Sequence, residues 1–136
     1  MFLDASVIVA NLLEEPEAPS IRASLVDENE ILTSPIAIFE ASARLAAVKR
    51  FGIDEGYRVV RDFLEDAKIR IVAIDDGVGR IAHACAAAYH HSTRHPARLN
   101  MGDCFAYASA RAAGMKLAYK GDDFVHTDIE GQRFGS

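Results

Sequence analysis

The chain has 136 residues, of which 50% are hydrophobic and 26% are charged, and its formal net charge is -5 at pH 7. This length and composition predict one globular domain over residues 1–136 and exclude a disordered chain. The negative charge argues against binding a polyanion by simple attraction, unless clustered acids hold divalent cations that reverse the local field. The first residues carry neither a basic stretch nor a long apolar run, so we expect a cytoplasmic protein without a membrane span.

Apolar runs bounded by acids or turn residues alternate with longer segments of helical periodicity. This alternation is typical of an α/β domain with a mainly parallel sheet. In the first half of the chain, the pattern predicts strands at Met1 to Leu3 and Glu30 to Thr33, and helices at 5–13, 18–27 and Pro35 to Arg50. Ser34 is a suitable N-cap and Pro35 occupies the first helical position, which marks where the third helix begins.

The second half of the chain continues the same alternation. The predicted helices are 54–67, 77–91 and Asp103 to Ala113, and the predicted strands are Ile69 to Ile74 and Met115 to Tyr119. Pro96 separates the last two helices because it prevents a simple helical continuation. The tail from Gly121 to Ser136 is predicted to be mostly turn, with one edge strand around Val125 to Ile129.

Three acids lie at positions that solubility alone does not explain. Asp4 directly follows the first strand, where open α/β sheets bind ligands, although a helix N-cap role would also explain it. Glu40 lies in an otherwise apolar helical segment, where the alternative is an ion pair with Arg44 one turn away. Asp103 lies in the first turn of its helix, where the helix dipole by itself would favour a negative charge.

Two further acids, Asp122 and Asp123, follow the strand Met115 to Tyr119, and at least one of them should end at the same edge. If the sheet is parallel, acids from separate segments converge there, and their repulsion raises their pKa values. Carboxylate oxygens are hard ligands that suit Mg²⁺ or Mn²⁺, and the chain has no Cys or His cluster at zinc spacing. The sequence therefore predicts a site for one of these cations.

Four segments together resemble the PIN-domain family, and within it the VapC-type toxins: LDAS at 3–6, FE at 39–40, HPARLNMGDCFAYASA at 95–110 and YKGDDFVHTDI at 119–129. The resemblance implies a three-layer α/β/α PIN-like fold with a central, mainly parallel sheet. It also implies a metal-dependent endoribonuclease that cleaves RNA phosphodiester bonds and is the toxin of a type II toxin-antitoxin system. A cognate VapB-type antitoxin and a homodimer belong to the same expectation.

The resemblance also assigns the catalytic, metal-binding acids by their position in these segments. They are Asp4, Glu40, Asp103 and, as the favoured fourth acid, Asp122. Ser6 matches the small hydroxyl residue that supports the first acid. Asp123 has a supporting role and is the alternative for the fourth position, because the motif has two consecutive acids after its glycine.

Two other functions stay open on the sequence. Asp4 after the first strand, Thr33 after the second and GDD at 121–123 also suit a haloacid-dehalogenase-like phosphatase. That class needs a second acid two residues after its nucleophile, and this chain has Ser6 there. A catalytically silent PIN domain that only binds is the third hypothesis. If RNA is the ligand, the grouped basic residues that would grip its backbone are Arg44, Lys49, Arg50, Arg94 and Arg98.

Overall fold

Five short strands form one sheet in the computed structural model of the chain, which describes residues 1–135. They are β1 (Phe2–Leu3), β2 (Leu32–Thr33), β3 (Arg70–Ile71), β4 (Leu117–Lys120) and β5 (Gly131–Phe134). The strand order is β3-β2-β1-β4-β5, and every neighbouring pair is parallel. The predicted parallel sheet is therefore confirmed, with β1 at its centre.

Helices connect the strands and cover both faces of the sheet. They are α1 (Ala5–Leu12), α2 (Ala18–Asp27), α3 (Pro35–Lys49), α4 (Ile53–Asp66), α5 (Asp76–Tyr89) and α6 (Met101–Ala113), with a 3-10 turn at His91–Thr93. No helix within residues 1–135 combines the length and the apolar character that crossing a membrane requires.

Alternating side chains of the strands divide the core into two layers. Leu3 and Ala118 belong to one buried cluster, which they share with residues of α1 to α4. Phe2 and Leu117 belong to the other, which contains residues of α5 and α6. Because successive residues of a strand point to opposite faces, each face of the sheet requires its own helical cover. This arrangement confirms the predicted three-layer α/β/α fold.

Local sequence signals explain where two helices begin and end. The Ser34 hydroxyl accepts a hydrogen bond from the backbone N–H of Ala37 at 3.3 Å, so Ser34 caps α3 as predicted. Gly114 ends α6 in the left-handed region, with φ of 66°, where an L side chain would be strained. These two signals were visible in the sequence and fix the ends of the helices that carry Glu40 and Asp103.

The tail differs from its prediction, because the expected edge strand around Val125 to Ile129 is wrong. Residues 123–126 form a turn flanked by bends, and the N–H of Thr127 bonds to the carbonyl of Phe124 at 3.1 Å. The fifth strand lies further on, and its Gly131 lets the backbone approach Tyr119, since a Cβ there would lie 2.8 Å from Tyr119 Cε1. Ser136, included in the predicted domain and tail, lies outside the described residues.

Gly56 allows α4 to pack closely against α3, whereas Gly79 on α5 has open space around it. A Cβ built at Gly56 would lie 2.4 Å from the backbone carbonyl oxygen of Ser42, and one at Gly79 would meet nothing within 4 Å. We expect Gly56→Ala to lower the free energy of unfolding by about 1–3 kcal/mol, because backbone must move. Gly79→Ala should raise it by about 0.5–1 kcal/mol through helix propensity. Urea unfolding of both variants checks this, and equal effects would contradict the close packing.

Candidate active site

Acidic side chains from four separate segments line one open cleft of about 680 Å³ at the carboxyl edge of the sheet. Asp4 follows β1, Glu40 lies on α3, Asp103 lies on α6 and Asp123 follows β4. Arg44, Lys120 and Glu15 also line this cleft. The parallel sheet therefore brings together acids that are far apart in sequence, at the edge where ligands bind in open α/β folds.

Asp4 is buried at the end of the central strand and is held there by Ser6. Its Oδ2 accepts hydrogen bonds from the Ser6 backbone N–H at 3.1 Å and from the Ser6 hydroxyl at 2.5 Å. The Ser6 oxygen in turn accepts a bond from the N–H of Lys120 at 3.0 Å. Burial raises the pKa of Asp4, the Ser6 hydrogen bonds oppose that rise, and the nearby Asp123 charge adds to it. Asp4 is both an N-cap of α1 and a cleft residue.

Asp103 is fixed by a reciprocal capping box at the start of α6. Its Oδ2 accepts from the backbone N–H of Asn100 at 3.0 Å, and its own N–H donates to Asn100 Oδ1 at 2.9 Å. Burial raises the pKa of Asp103 to about 7, against the lowering effect of the Asn100 bond, and the charges of Asp4, Asp123 and Glu40 contribute. The capping role thus places an electrostatically strained carboxylate in the cleft.

Glu40 reaches the cleft across the start of α6, where Gly102 leaves room for it. A Cβ at Gly102 would lie 2.3 Å from Glu40 Oε2 and 2.4 Å from Oε1. Burial and the Asp4 charge raise the pKa of Glu40 to about 7. Within residues 1–135, Glu40 and Arg44 form no ion pair. The structure therefore does not support an ion pair with Arg44 as the reason for this acid.

The two consecutive acids after β4 have different positions. Asp123 lines the cleft, whereas Asp122 is not among its lining residues. Partial burial and the adjacent Asp122 charge raise the pKa of Asp123. Gly121 has a φ of 101°, so the chain leaves the extended conformation of β4 before it reaches the two acids. Their side chains therefore do not continue the alternation of that strand. The geometry therefore favours Asp123 over the sequence preference for Asp122 as the fourth acid of the cleft.

Sequence reasoning missed Asn100 and Gly102, because it started the helix at Asp103. The signal was present: Asn100 stands three residues before Asp103, which is the spacing of a capping box. It also missed Lys120 and Glu15, which no local pattern connects, since they are 105 positions apart in the chain.

The donor chemistry of the cleft fits a hard, hydrated cation. The acids offer only oxygen ligands, and no histidine or cysteine is among the lining residues. Within residues 1–135, no three Asp, Glu, His or Cys side chains form a ready-made coordination group. Mg²⁺ does not need one, because it retains several waters and is typically bound through one or two carboxylates. Burial is the main cause of the raised pKa values of Glu40 and Asp103, so their charged forms are destabilised, and a bound cation would stabilise those forms.

Comparison with known proteins identifies the family of the chain. Residues 1–130 match the family model described as PIN domain. The chain belongs to the PIN-domain family.

Its relatives within that family include VapC ribonucleases. The chain is 38% identical to a VapC ribonuclease of Rhizobium meliloti, in an alignment that covers 94% of this chain and 98% of the relative. Its fold is similar to VapC20 of Mycobacterium tuberculosis, described as a Sarcin-Ricin loop cleaving toxin, with a TM-score of 0.72, 16% identity and coverage of 94% and 95% of the two chains. It is also similar to a chain of a toxin-antitoxin complex from Klebsiella pneumoniae, with a TM-score of 0.71, 14% identity and coverage of 96% and 94%.

The raised pKa values predict how the metal-free protein responds to pH. Glu40 and Asp103 have pKa values of about 7 in the folded protein, against ordinary values of 4.5 and 3.8. The folded state therefore binds their protons more tightly, and the stability they contribute at low pH is lost as the pH rises through about 7. In EDTA, we expect the Asp103→Asn variant to lose less of its unfolding temperature than the parent chain between about pH 4.5 and about pH 7. Parallel or steeper loss in the variant would contradict this assignment of charge.

Proposed function

We propose that the chain is the toxin of a type II toxin-antitoxin system, a Mg²⁺- or Mn²⁺-dependent endoribonuclease that hydrolyses RNA phosphodiester bonds. The observation that carries the proposal is the group of carboxylates in one cleft: Asp4, Glu40, Asp103 and Asp123. The raised pKa values among them make a divalent cation a favourable occupant. The VapC ribonuclease relatives support the reaction class.

The roles of the residues follow from their contacts. Asp4 and Asp103 would hold the cation, since Ser6 orients the first carboxylate and Asn100 orients the second. When bound, a divalent cation polarises the scissile phosphate and lowers the pKa of a bound water. Glu40 would accept a proton at its carboxylate or complete the ligand set, because its pKa of about 7 is suited to proton transfer near neutral pH.

Asp123 takes the fourth position in this proposal, in place of the Asp122 favoured by the sequence. Two features support the exchange: Asp123 lines the cleft, and its charge affects the pKa values of Asp4 and Asp103. Asp122 acts on the site through Asp123, whose pKa it raises.

The proposed partners are an RNA substrate, a cognate antitoxin and a second copy of the chain, in the cytoplasm. A toxin-antitoxin complex among the similar structures supports the antitoxin. Its inhibitory segment would place an Arg or Lys among Asp4, Glu40 and Asp103, where a cation relieves the same repulsion as the metal. The homodimer is supported by exposed large apolar residues on α3 and α4, which are Phe39, Val48, Ile53 and Tyr57.

Of the two alternatives, the phosphatase hypothesis does not agree with membership of the PIN-domain family. A silent binding domain and a nuclease would have the same fold, so an experiment has to distinguish these two hypotheses.

Replacing Asp103 tests the proposed function. We expect Asp103→Asn to lower Mg²⁺-dependent cleavage of total RNA by about 100-fold or more, because a metal ligand is lost. The fold should be retained, since the asparagine oxygen can still accept the Asn100 hydrogen bond. Mg²⁺ should raise the unfolding temperature of the parent chain and raise that of the variant much less. Full activity of the variant, or a parent chain that cleaves no RNA, would overturn the proposal.

The consecutive acids after β4 provide a matched pair of substitutions. Asp123→Asn should reduce cleavage on the order of 10-fold to 100-fold, because it removes an oxygen ligand or its orienting charge. Asp122→Asn changes the net charge equally and should reduce cleavage much less. RNA cleavage at saturating Mg²⁺ and its Mg²⁺ dependence give the comparison. A larger loss in Asp122→Asn would restore the sequence preference.

A further inference from the structure

Lys120 is a basic residue of the acidic cleft that the proposed metal chemistry does not use. It is the last residue of β4, and its backbone N–H supports Ser6, as described above. Its side chain lines the cleft together with Arg44 and with Glu15, which lies in the connection between α1 and α2. Lys120 thus contributes a positive charge to the wall of the cleft.

Two glutamates hold the Lys120 ammonium, and they differ in their surroundings. Glu15 makes an ion pair and a hydrogen bond with Lys120, and both side chains are about 30% exposed. Glu17 lies 3.1 Å from the same ammonium through Oε2, an atom that is shielded from solvent and has no aligned hydrogen-bond donor. Only Glu15 is among the residues that line the cleft.

The segment that ends at Gly135 packs against the Glu17 side chain. Gly135 packs against it so closely that a Cβ would lie 2.8 Å from Glu17 Oε1. A shielded carboxylate oxygen is costly to leave without a cation, so we expect Lys120 to keep its contact with Glu17 when the contact with Glu15 is broken. The contact with Glu15 is exchangeable, because an ion pair open to water contributes little free energy.

The charges that line the cleft indicate a role for Lys120 in binding an anion. The lining acids are Asp4, Glu15, Glu40, Asp103 and Asp123, and the lining bases are Arg44 and Lys120. A phosphate that reaches Lys120 replaces one anionic oxygen partner with another, while Lys120 stays anchored to Glu17. Glu15 opposes this exchange twice, since it occupies the ammonium and repels the phosphate.

We propose that Lys120 binds a backbone phosphate of the substrate RNA and that Glu15 competes with the phosphate for the ammonium, which makes Glu15 a built-in attenuator of RNA binding. This inference rests on the proposed ribonuclease function. It predicts that removing the positive and the negative member of one ion pair changes RNA affinity in opposite directions. A purely structural brace predicts the same direction for both.

The test measures binding of a short, labelled single-stranded RNA in Mg²⁺ as a function of salt, with every variant carried in the Asp103→Asn chain to prevent cleavage. We expect Lys120→Gln to weaken binding and to reduce the slope of log K against log salt by about 0.7, the contribution of one phosphate contact to a single strand. Glu15→Gln should tighten binding. Lys120→Arg should restore the slope, because it retains the charge.

Lys116 provides the matched control on the same strand segment. It directly precedes β4, whereas Lys120 ends that strand, and its ammonium pairs with Glu28 at 2.8 Å. Lys116 is not among the residues that line the cleft. Lys116→Gln removes the same charge and should leave the slope nearly unchanged. Because Lys120→Gln leaves Glu17 without its cation, the double variant with Glu17→Gln keeps the test valid if the single variant unfolds.

The outcomes separate this inference from the proposed function. Weaker binding by both Lys120→Gln and Glu15→Gln, or equal slopes for Lys120→Gln and Lys116→Gln, would overturn the phosphate role while the ribonuclease proposal stands. In chains with Asp103 intact, Lys120→Gln should raise KM for RNA more than it lowers kcat. If the parent chain neither binds nor cleaves RNA, it is the proposed function that fails.

Discussion

The cost of burying several carboxylates together, increased by their mutual repulsion, is the constraint that shapes the carboxyl edge of this sheet. Asp4 is buried at the end of the central strand, and burial raises the pKa values of Asp103 and Glu40 to about 7. Each of these acids is less stable in its charged form than it would be in water. The net stability of a domain is small, so the packing of the two core layers has to offset the free-energy cost of these destabilised carboxylates. The cleft is a destabilised region supported by a well-packed sheet.

The neighbours of the acids orient them without neutralising them. Ser6 and Asn100 donate neutral hydrogen bonds to Asp4 and Asp103, and Gly102 leaves space for the Glu40 carboxylate. An arginine or lysine bonded directly to these oxygens would remove the repulsion and also block a metal. Within residues 1–135, no ion pair joins Arg44 or Lys120 to Asp4, Glu40 or Asp103, and Lys120 instead pairs with Glu15 and Glu17. The negative charge of these three carboxylates is therefore left without a paired side-chain cation in the described residues, and a bound cation would be stabilised there.

The sequence predicted the fold from signals that act within a few residues. Helix periodicity, the Ser34 cap and the Gly114 stop are local, and the acids that end buried strands or begin helices could be selected for the same reason. The fourth acid depended on how the chain turns after Lys120, because Gly121 in a left-handed conformation changes the direction of both following side chains. The predicted edge strand was misplaced because the real one, β5 with the sequence GQRF, has little of the apolar alternation that identifies a strand. It pairs with β4 through backbone hydrogen bonds and a close glycine contact. The partners of Lys120 required the tertiary structure.

The register between β1 and β4 connects the core to the chemistry of the cleft. Leu3 is opposite Ala118, the N–H of Asp4 bonds to the carbonyl of Ala118 at 3.0 Å, and Ser6 receives the N–H of Lys120. A shift of one residue would turn Leu117 and Ala118 toward the wrong core layers, so packing on both faces opposes it. The same shift would separate Ser6 from the N–H of Lys120 and break the bond from the Asp4 N–H to the Ala118 carbonyl. The apolar side chains that β4 places on both faces of the sheet thus fix the register that positions the Asp4 backbone, and a core substitution that loosens this register would disturb the acids without contacting any of them.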